Sequence, residues 1–317
     1  FRKSSATAVP GFIEASHITS DAPAGTHVCL PAAPLHLLDE LQQRTDPGVG
    51  MKTLIARTLA TALVISAPAA LMCASAAETA QPPQAIDAPP PKPYSVPPKA
   101  RDYLKKAVEL PSRPAHATIH DAYRKPAELM QFANLRPGQR VVELSAYGNY
   151  WSEMIADVVG PKGELHMFDP PFAEPLADEG AAFAAARPNT KFQNLNFNDI
   201  EFPKGIDLVW CYACFHEVLG TGVDIDPFFA KMYKAMKPGS RLLVVFYTAR
   251  DGMENRDVGT LHRLDPATVR GTFQAAGFQL QEEHRLLQNP QDDKKTPVFT
   301  EAEGDIADRT VYRFVKP

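Results

Sequence analysis

The chain has little of three features that mark specialised classes of protein: cysteine, clustered positive charge and long apolar runs. Its 317 residues include four cysteines, too few for the disulfide scaffold of a small secreted domain. Lysine and arginine total 33 against 37 acidic residues, and no dense basic run with interleaved aromatics occurs. This composition does not favour nucleic acid as a partner. A hydrophobic fraction of 44% is ordinary for a globular protein with a buried core.

One segment in the first quarter of the chain is distinctly apolar: "MKTLIARTLATALVISAPAALMCASAAET", which begins at Met51. Two basic residues near its start, a short apolar core and small residues at 74–76 form the layout of a secretory signal peptide. The apolar core is short for a membrane span, which needs about 20 apolar residues. A lipoprotein anchor at Cys73 is disfavoured because Met72 is large where such sites have a small residue. We therefore expect residues 51–77 to direct export.

The expected domain organisation follows from this signal. Residues 1–50 lack periodicity and are rich in Ala, Pro, Ser and Thr, so we expect a disordered upstream extension. Residues 78–99 are expected to be a Pro-rich linker, and residues 100–317 one folded domain. The alternative for residues 51–76 is a buried core helix. With the signal, the protein is predicted to be periplasmic or secreted, without a stable membrane span once the signal is cleaved.

Helix and strand patterns alternate throughout residues 100–317, which predicts an α/β fold with a mostly parallel sheet. The segments typical of strands are "QRVVELS", "GELHMFD", "TKFQNLNF", "GIDLVWCYA", "RLLVVFY", "FQLQEEHRLL" and "RTVYRFVKP". Only a polar loop separates the last two, so we expect a three-layer sandwich whose seven-stranded sheet has an antiparallel edge strand. Ligands bind such sheets beyond the carboxyl ends of the strands, where the strand order reverses. The polar residues at those ends are the candidate site.

Five stretches of this domain stand out: "DAYRKPAELMQFANLRPGQRVVEL", "YWSEMI", "KPGSRLLVV", "LHRLD" and "DRTVYRFVKP". They resemble class I S-adenosylmethionine-dependent methyltransferases, and in particular a bacterial family of exported, predicted methyltransferases. The resemblance spans residues 121–317. It implies a Rossmann-like methyltransferase fold, S-adenosyl-L-methionine as the cofactor and methyl transfer to a small-molecule substrate.

The resemblance assigns the cofactor to acidic residues at successive strand ends. Glu143 ends the first strand and would contact the amino-acid end of the cofactor. Asp169 ends the second strand and would accept hydrogen bonds from the ribose hydroxyls, whereas Asp199 resembles the residue that contacts the adenine amino group. The alternative for each is a strand-end acid that caps a loop or the following helix.

The loop after the first strand departs from the family's acid-x-Gly-x-Gly-x-Gly pattern. The glycine places fall on Ser145, Tyr147 and Asn149, while Gly148 lies off this pattern at a place where the exported family also has glycine. Glycine there lets the backbone approach the ligand and the helix begin near it. Ser145 is small, and Asn149 tolerates a positive φ. Tyr147 is expected to project its ring where the cofactor would lie.

The resemblance places substrate-facing residues after the fourth and fifth strands. His216 and Glu217 follow the fourth strand, and His216 could remove a proton from a hydroxyl or amine acceptor. The alternative for His216 is a loop histidine that satisfies backbone groups. His262 and Arg263 form the "LHR" motif, in which Arg263 would hold an acidic substrate group or form an ordinary salt bridge. Arg124, in "DAYRKP", would close the site from the N-terminal helices.

The stretch "WCYAC" favours a different class of protein. Trp-Cys-x-x-Cys opens the active helix of thioredoxin-like proteins, and an exported location suits disulfide exchange. Against this, "FHEVLGTG" is a poor helix after the motif. Residues three apart in an extended strand also face opposite ways and cannot be bridged there. The sequence leaves the redox state of Cys211 and Cys214 open.

The remaining patterns leave three functions open. No metal site is predicted, because His116 and His120 of "HATIH" lack both a third ligand and the glutamate of a zinc protease motif. The first function is an S-adenosylmethionine-dependent methyltransferase-like protein of the cell envelope, with an unknown substrate and a degenerate glycine loop. The second is a non-catalytic descendant of that fold that binds another small molecule or a partner. The third is an exported thiol–disulfide protein. The oligomeric state is open.

Overall fold

The computed structural model describes residues 92–171 and 174–317. The predicted extension, the signal peptide and the linker up to residue 91 lie outside these residues. Residues 92–97 have no regular secondary structure, and the first helix begins at Asp102. Among the helices of the described residues, none has the length and apolar composition of a membrane span.

A seven-stranded sheet forms the centre of the fold, with the strands in the order β3-β2-β1-β4-β5-β7-β6. The strands are β1 (Arg140–Leu144), β2 (Glu164–Asp169), β3 (Thr190–Asn194), β4 (Ile206–Tyr212), β5 (Met236–Tyr247), β6 (Gln279–His284) and β7 (Arg309–Val315). β1 to β5 pair in parallel, whereas β7 is inserted antiparallel between β5 and β6. This confirms the predicted mostly parallel sheet with an antiparallel strand at its edge region, which is the Rossmann-like methyltransferase fold.

Helices cover both faces of the sheet. They are α1 (Asp102–Val108), α2 (Ala115–Thr118), α3 (Asp121–Arg124), α4 (Pro126–Phe132), α5 (Tyr150–Val159), α6 (Glu174–Ala185), α7 (Phe215–Gly220), α8 (Ile225–Ala235), α9 (Val258–Leu261), α10 (Pro266–Ala275) and α11 (Glu301–Ile306). Alternate residues of a strand point to opposite faces. Val141 of β1 accordingly belongs to the core built with α4 and α5, whereas its neighbour Val142 belongs to the core built with α8 and α10. The result is the predicted three-layer sandwich.

Several helices lie where the sequence predicted none, and α7 and α11 are the two that border the carboxyl ends of the strands. α7 follows the Cys-x-x-Cys stretch, and it forms because Phe215 and Val218 bury their side chains in the core, which outweighs poor intrinsic helix propensity. α11 lies in the segment that was expected to be only a polar loop. A capping box stabilises its start, since the Thr300 side chain accepts from the Glu303 N–H and the Glu303 side chain bonds the Thr300 N–H.

The third strand is shorter than predicted. It ends at Asn194, which pairs with Asp169 of β2. The side chain of Asn196 then accepts a hydrogen bond from the N–H of Asn198, and a 3-10 turn, Phe197–Asp199, replaces the expected continuation of the strand. This local competition by an asparagine side chain moves Asp199 beyond the strand end.

Cys211 and Cys214 form a disulfide, which a strand continuing through both residues would not allow. Instead β4 ends at Tyr212, and Ala213 adopts a left-handed φ of 52° that turns the chain back. The two Cα atoms come within 5.4 Å, which suits a disulfide. Both cysteines are buried, at 2% and 0% exposure, directly before α7.

Candidate functional site

A cavity of about 260 Å³ lies at the carboxyl ends of β1, β4 and β5, and we call it the strand-end cavity. Helix α3 and the segment at 298–301 also contribute to its walls. Most of the sequence-predicted site residues line it: Arg124, Glu143, Ser145, Tyr147, His216, Glu217 and His262. They meet because the carboxyl ends of parallel strands share one edge of the sheet.

The loop between β1 and α5 keeps the backbone conformation that glycine would give it. Ser145, Gly148 and Asn149 have φ values of 56°, 65° and 58°, in the left-handed region. Ser145 and Asn149 stand at two of the glycine places, so the backbone there is preserved although the residues differ. Tyr147, at the remaining glycine place, does not have a left-handed φ. Its side chain therefore affects the site by the volume of its ring and not by straining the backbone.

Tyr147 and Ser145 bind across the site to Glu217 of α7. The Tyr147 hydroxyl donates to Glu217 Oε2 at 2.8 Å, and the Ser145 hydroxyl donates to the same oxygen at 2.5 Å. The loop that would hold the cofactor is thus tied to the helix that follows β4. The Tyr147 ring lies in the wall of the strand-end cavity as a consequence.

Two carboxyl groups in the cavity have unusually high proton affinity. Burial raises the pKa of Glu217 to about 7, although the hydroxyls of Ser145 and Tyr147 oppose that shift. Burial, with added repulsion from Asp169, raises the pKa of Glu143 to about 8. Glu143 accepts a 2.7 Å hydrogen bond from the hydroxyl of Ser152. Near neutral pH these groups carry little of the negative charge that two exposed carboxylates would carry.

His216 is held as a neutral imidazole. Burial and, to a smaller extent, the neighbouring His262 lower its pKa to about 3. The two rings stack with their centroids 4.7 Å apart, and His216 Nδ1 has no hydrogen-bond partner among the described residues. A general base works best with a pKa near the working pH. Glu217, with its pKa of about 7, therefore suits proton transfer better than His216 does.

Arg124 closes the cavity from the N-terminal helices, as its sequence position suggested. Its guanidinium donates to Glu301 at 2.9 Å and to Asp305 at 3.2 Å, and so joins α3 to α11. His120 lies beside it, with Nδ1 2.5 Å from Asp305 and Nε2 3.2 Å from Glu301. In the described part of the chain, no group of His, Cys, Asp and Glu side chains is arranged to hold a metal ion.

The two acids assigned to the adenosine part of the cofactor lie outside the cavity lining. Asp169 is 2% exposed and accepts a 2.6 Å hydrogen bond from the Ala146 N–H, and burial raises its pKa to about 6. Its carboxylate thus holds the loop after β1. Asp199 is exposed on the 3-10 turn beyond β3. Gly148 and Asn149 shape the loop without lining the cavity.

Arg263 also lies away from the cavity. Its side chain is 2% exposed. Its guanidinium donates two hydrogen bonds to the Asp292 carboxylate, from Nη1 to Oδ2 at 2.8 Å and from Nη2 to Oδ1 at 3.1 Å. It donates further to the carbonyls of Thr248 and Thr296. This buried pair anchors the loop between β6 and α11, because one side chain binds both that loop and the residue that follows β5.

Sequence reasoning placed Tyr212 and Tyr247 at the carboxyl ends of two strands but missed the other aromatic residues of the site. Tyr150, Trp151, Tyr212, Tyr247 and Phe299 all line the cavity. The first two were visible only as the start of a helix, and the helical pattern does not say which residues face a ligand. Phe299 follows no periodic pattern, so nothing in the sequence marked it.

Solved structures with a similar fold include methyltransferases and one enzyme of another activity. A SAM-dependent methyltransferase from Aquifex aeolicus is 15% identical, covers 67% of this chain and 98% of its own, with a TM-score of 0.44. Fibrillarin from Aeropyrum pernix, solved with S-adenosyl-L-methionine bound, is 13% identical, and the match covers 62% of this chain and 76% of fibrillarin with a TM-score of 0.43. The [4+2]-cyclase SpnF is 14% identical, and the match covers 63% of this chain and 83% of the cyclase with a TM-score of 0.47. The sequence matches no protein-family model and no curated protein.

The residues present do not fit S-adenosylmethionine in the way the resemblance implies. Tyr147 is bonded to Glu217 inside the cavity that the cofactor loop should open. Asp169 is occupied by the Ala146 N–H, and Asp199 lies outside the cavity. The cavity volume of about 260 Å³ is also below the range of about 300 to 1,000 Å³ usual for pockets of drug-sized ligands. No catalytic step through this cofactor follows from the arrangement.

Proposed function

We propose that this chain is a methyltransferase-like protein of the cell envelope that binds a small molecule in the strand-end cavity and does not use S-adenosylmethionine. The observation that carries the proposal is the pair of hydrogen bonds from Tyr147 and Ser145 to Glu217. They hold the Tyr147 ring in the wall beside the cofactor loop, where the ring takes up the space that the cofactor would need, and they leave a cavity that the loop and α7 both line.

Two features support an envelope location. The segment 51–77 has the layout of a signal peptide, which directs a protein out of the cytoplasm. The disulfide between Cys211 and Cys214 suits an oxidising compartment, since such bonds are rare in the cytosol. Burial of both cysteines gives no support to thiol–disulfide exchange as the function, because an exchanging sulfur must be reached by its partner.

The second candidate is the S-adenosylmethionine-dependent methyltransferase itself. It is favoured by the left-handed backbone of Ser145, Gly148 and Asn149, which keeps the shape of a cofactor loop. In that case the Tyr147 side chain would have to leave Glu217 before the cofactor could bind. Glu217, with its pKa of about 7, would then be the proton acceptor for a small-molecule substrate.

A thermal-shift screen of the purified protein tests the proposal. Ligands that bind the folded state raise its melting temperature by mass action. We expect at least one of the small metabolites in the screen to raise the melting temperature. We expect S-adenosylmethionine and S-adenosylhomocysteine to leave the melting temperature unchanged at millimolar concentration. A rise with either cofactor form would overturn the proposal in favour of the second candidate. The variant Trp151→Phe shows whether the ligand binds in the strand-end cavity. Because Trp151 lines that cavity, the substitution should reduce the rise in melting temperature that the ligand causes.

A further inference from the structure

We propose that the ligand of the strand-end cavity is a small organic cation of the quaternary-ammonium type, held by aromatic rings and by the carboxyl groups of Glu143 and Glu217. This inference rests on the proposed small-molecule function and names the chemical class of its ligand. Three properties of the cavity carry it: its aromatic walls, its charge balance and its size.

The cavity walls are aromatic on two sides. On one side Trp151 packs against Tyr150 and Tyr212, with ring centroids 4.8 and 5.0 Å apart. On the other side Tyr247 and the stacked histidine pair continue toward the outer rim. The faces of aromatic rings attract cations, tryptophan most strongly, and a cage of such rings is how proteins bind quaternary ammonium groups.

The charges around the cavity favour a cation over an anion. Arg124, the one Lys or Arg side chain among the described lining residues, already donates to Glu301 and Asp305. Glu143 has a hydroxyl as its hydrogen-bond partner, and Glu217 Oε2 has two. An anion entering the cavity would meet these carboxyl groups without a spare positive charge to pair with.

Neither of the two carboxyl groups has a cationic partner among the described residues. Glu217 Oε1 lies 3.9 Å from Nε2 of His216, whose low pKa keeps it neutral. The raised pKa values of Glu143 and Glu217, due first to burial, agree with a site that lacks positive charge. A bound cation would supply that charge and favour the ionised form of both groups.

The size of the cavity suits a compact ligand. Its volume of about 260 Å³ is enough for a small organic cation. A quaternary ammonium group has no N–H donors, so it needs ring faces and diffuse negative charge rather than directed hydrogen bonds. Arg113 and Arg124 already lie over the ring of Tyr150. The other five aromatic lining residues and the two carboxyl groups offer that combination: Tyr147, Trp151, Tyr212, Tyr247 and Phe299 form the aromatic set.

Calorimetric titration with choline and with its neutral isostere 3,3-dimethylbutan-1-ol tests this inference. The two compounds have the same shape and differ in charge. We expect choline to bind at least about tenfold more tightly than the alcohol, the ratio that one cation–π contact at a desolvated site supplies. Glu217→Gln should lower that ratio, because it removes one of the two carboxyl groups that would face the cation. Glu201→Gln is the matched control, because Glu201 is a largely exposed glutamate in the loop after β3.

The outcomes separate this inference from the proposed function. Equal binding of choline and the alcohol would refute the cationic ligand and leave a small-molecule site in place. The same holds if neither binds while a neutral or anionic compound of similar size does. If no compound of any charge binds, both the inference and the proposed function are wrong. Circular dichroism of Glu217→Gln shows whether a loss of binding comes from unfolding.

Discussion

Loss of the disulfide between Cys211 and Cys214 is expected to destabilise the domain measurably even though it closes a short loop. The two cysteines are three positions apart, so the closed loop holds four residues. The chain-entropy relation gives about 2 kcal/mol for a loop of this length. For a domain of this size that corresponds to a fall in melting temperature of about 4 to 8 °C.

The assay is equilibrium urea unfolding with and without a thiol reductant, read by far-UV circular dichroism. The double variant Cys211→Ala/Cys214→Ala is the matched control, because the reductant should not change its unfolding midpoint. Mass spectrometry of the alkylated peptide reports whether the bond was broken. If that bond is reduced and the midpoint of the unmodified protein does not move, the turn at Ala213 is stable without the disulfide. The destabilisation of about 2 kcal/mol expected from the chain-entropy relation would then be wrong.

Two further predictions concern buried charged groups. Burial raises the pKa of Glu143 from its ordinary 4.5 to about 8, so the folded state binds the proton more tightly than the unfolded state does. The resulting stabilisation is complete below pH 4.5 and is lost as the pH rises through 8. Glu143→Gln should therefore flatten the fall in urea midpoint between pH 5 and pH 9, and an unchanged slope would contradict the assignment. Arg263→Ala leaves Asp292 buried without its partner and should cost about 3 to 5 kcal/mol of stability. Because Arg263 lies outside the cavity, ligand affinity of the folded variant should be unchanged; lost affinity at unchanged stability would show that Arg263 acts in the site.

The sheet and part of the site follow from the sequence because they depend on short-range patterns. Apolar strands that alternate with helices fix a mostly parallel sheet, and a parallel sheet brings its strand ends together. Glu143 and Glu217 could therefore be placed in one site, although 74 positions separate them along the chain.

Other features could not be predicted, since they depend on contacts between distant segments. The left-handed turn at Ala213 has no marker in the sequence, and it decides whether Cys211 and Cys214 meet. The sequence was compatible with Arg263 either as a substrate contact or as part of a salt bridge. The fold decides for the salt bridge, because it places Asp292 of a later loop beside Arg263. The sequence predicted that the ring of Tyr147 projects where the cofactor would lie. Its hydrogen bond to Glu217 could not be predicted, because that bond depends on where α7 lies in the fold.

The central claim is that Tyr147 closes the cofactor side of the site. Isothermal titration of S-adenosylmethionine into the unmodified protein, Tyr147→Phe and Tyr147→Gly tests it most directly. Phenylalanine keeps the ring and removes the hydroxyl that bonds Glu217, whereas glycine removes the ring and restores the residue expected at that place in the loop. The account predicts no binding at millimolar concentration for the unmodified protein and for Tyr147→Phe, and measurable binding for Tyr147→Gly. Binding to the unmodified protein would contradict it.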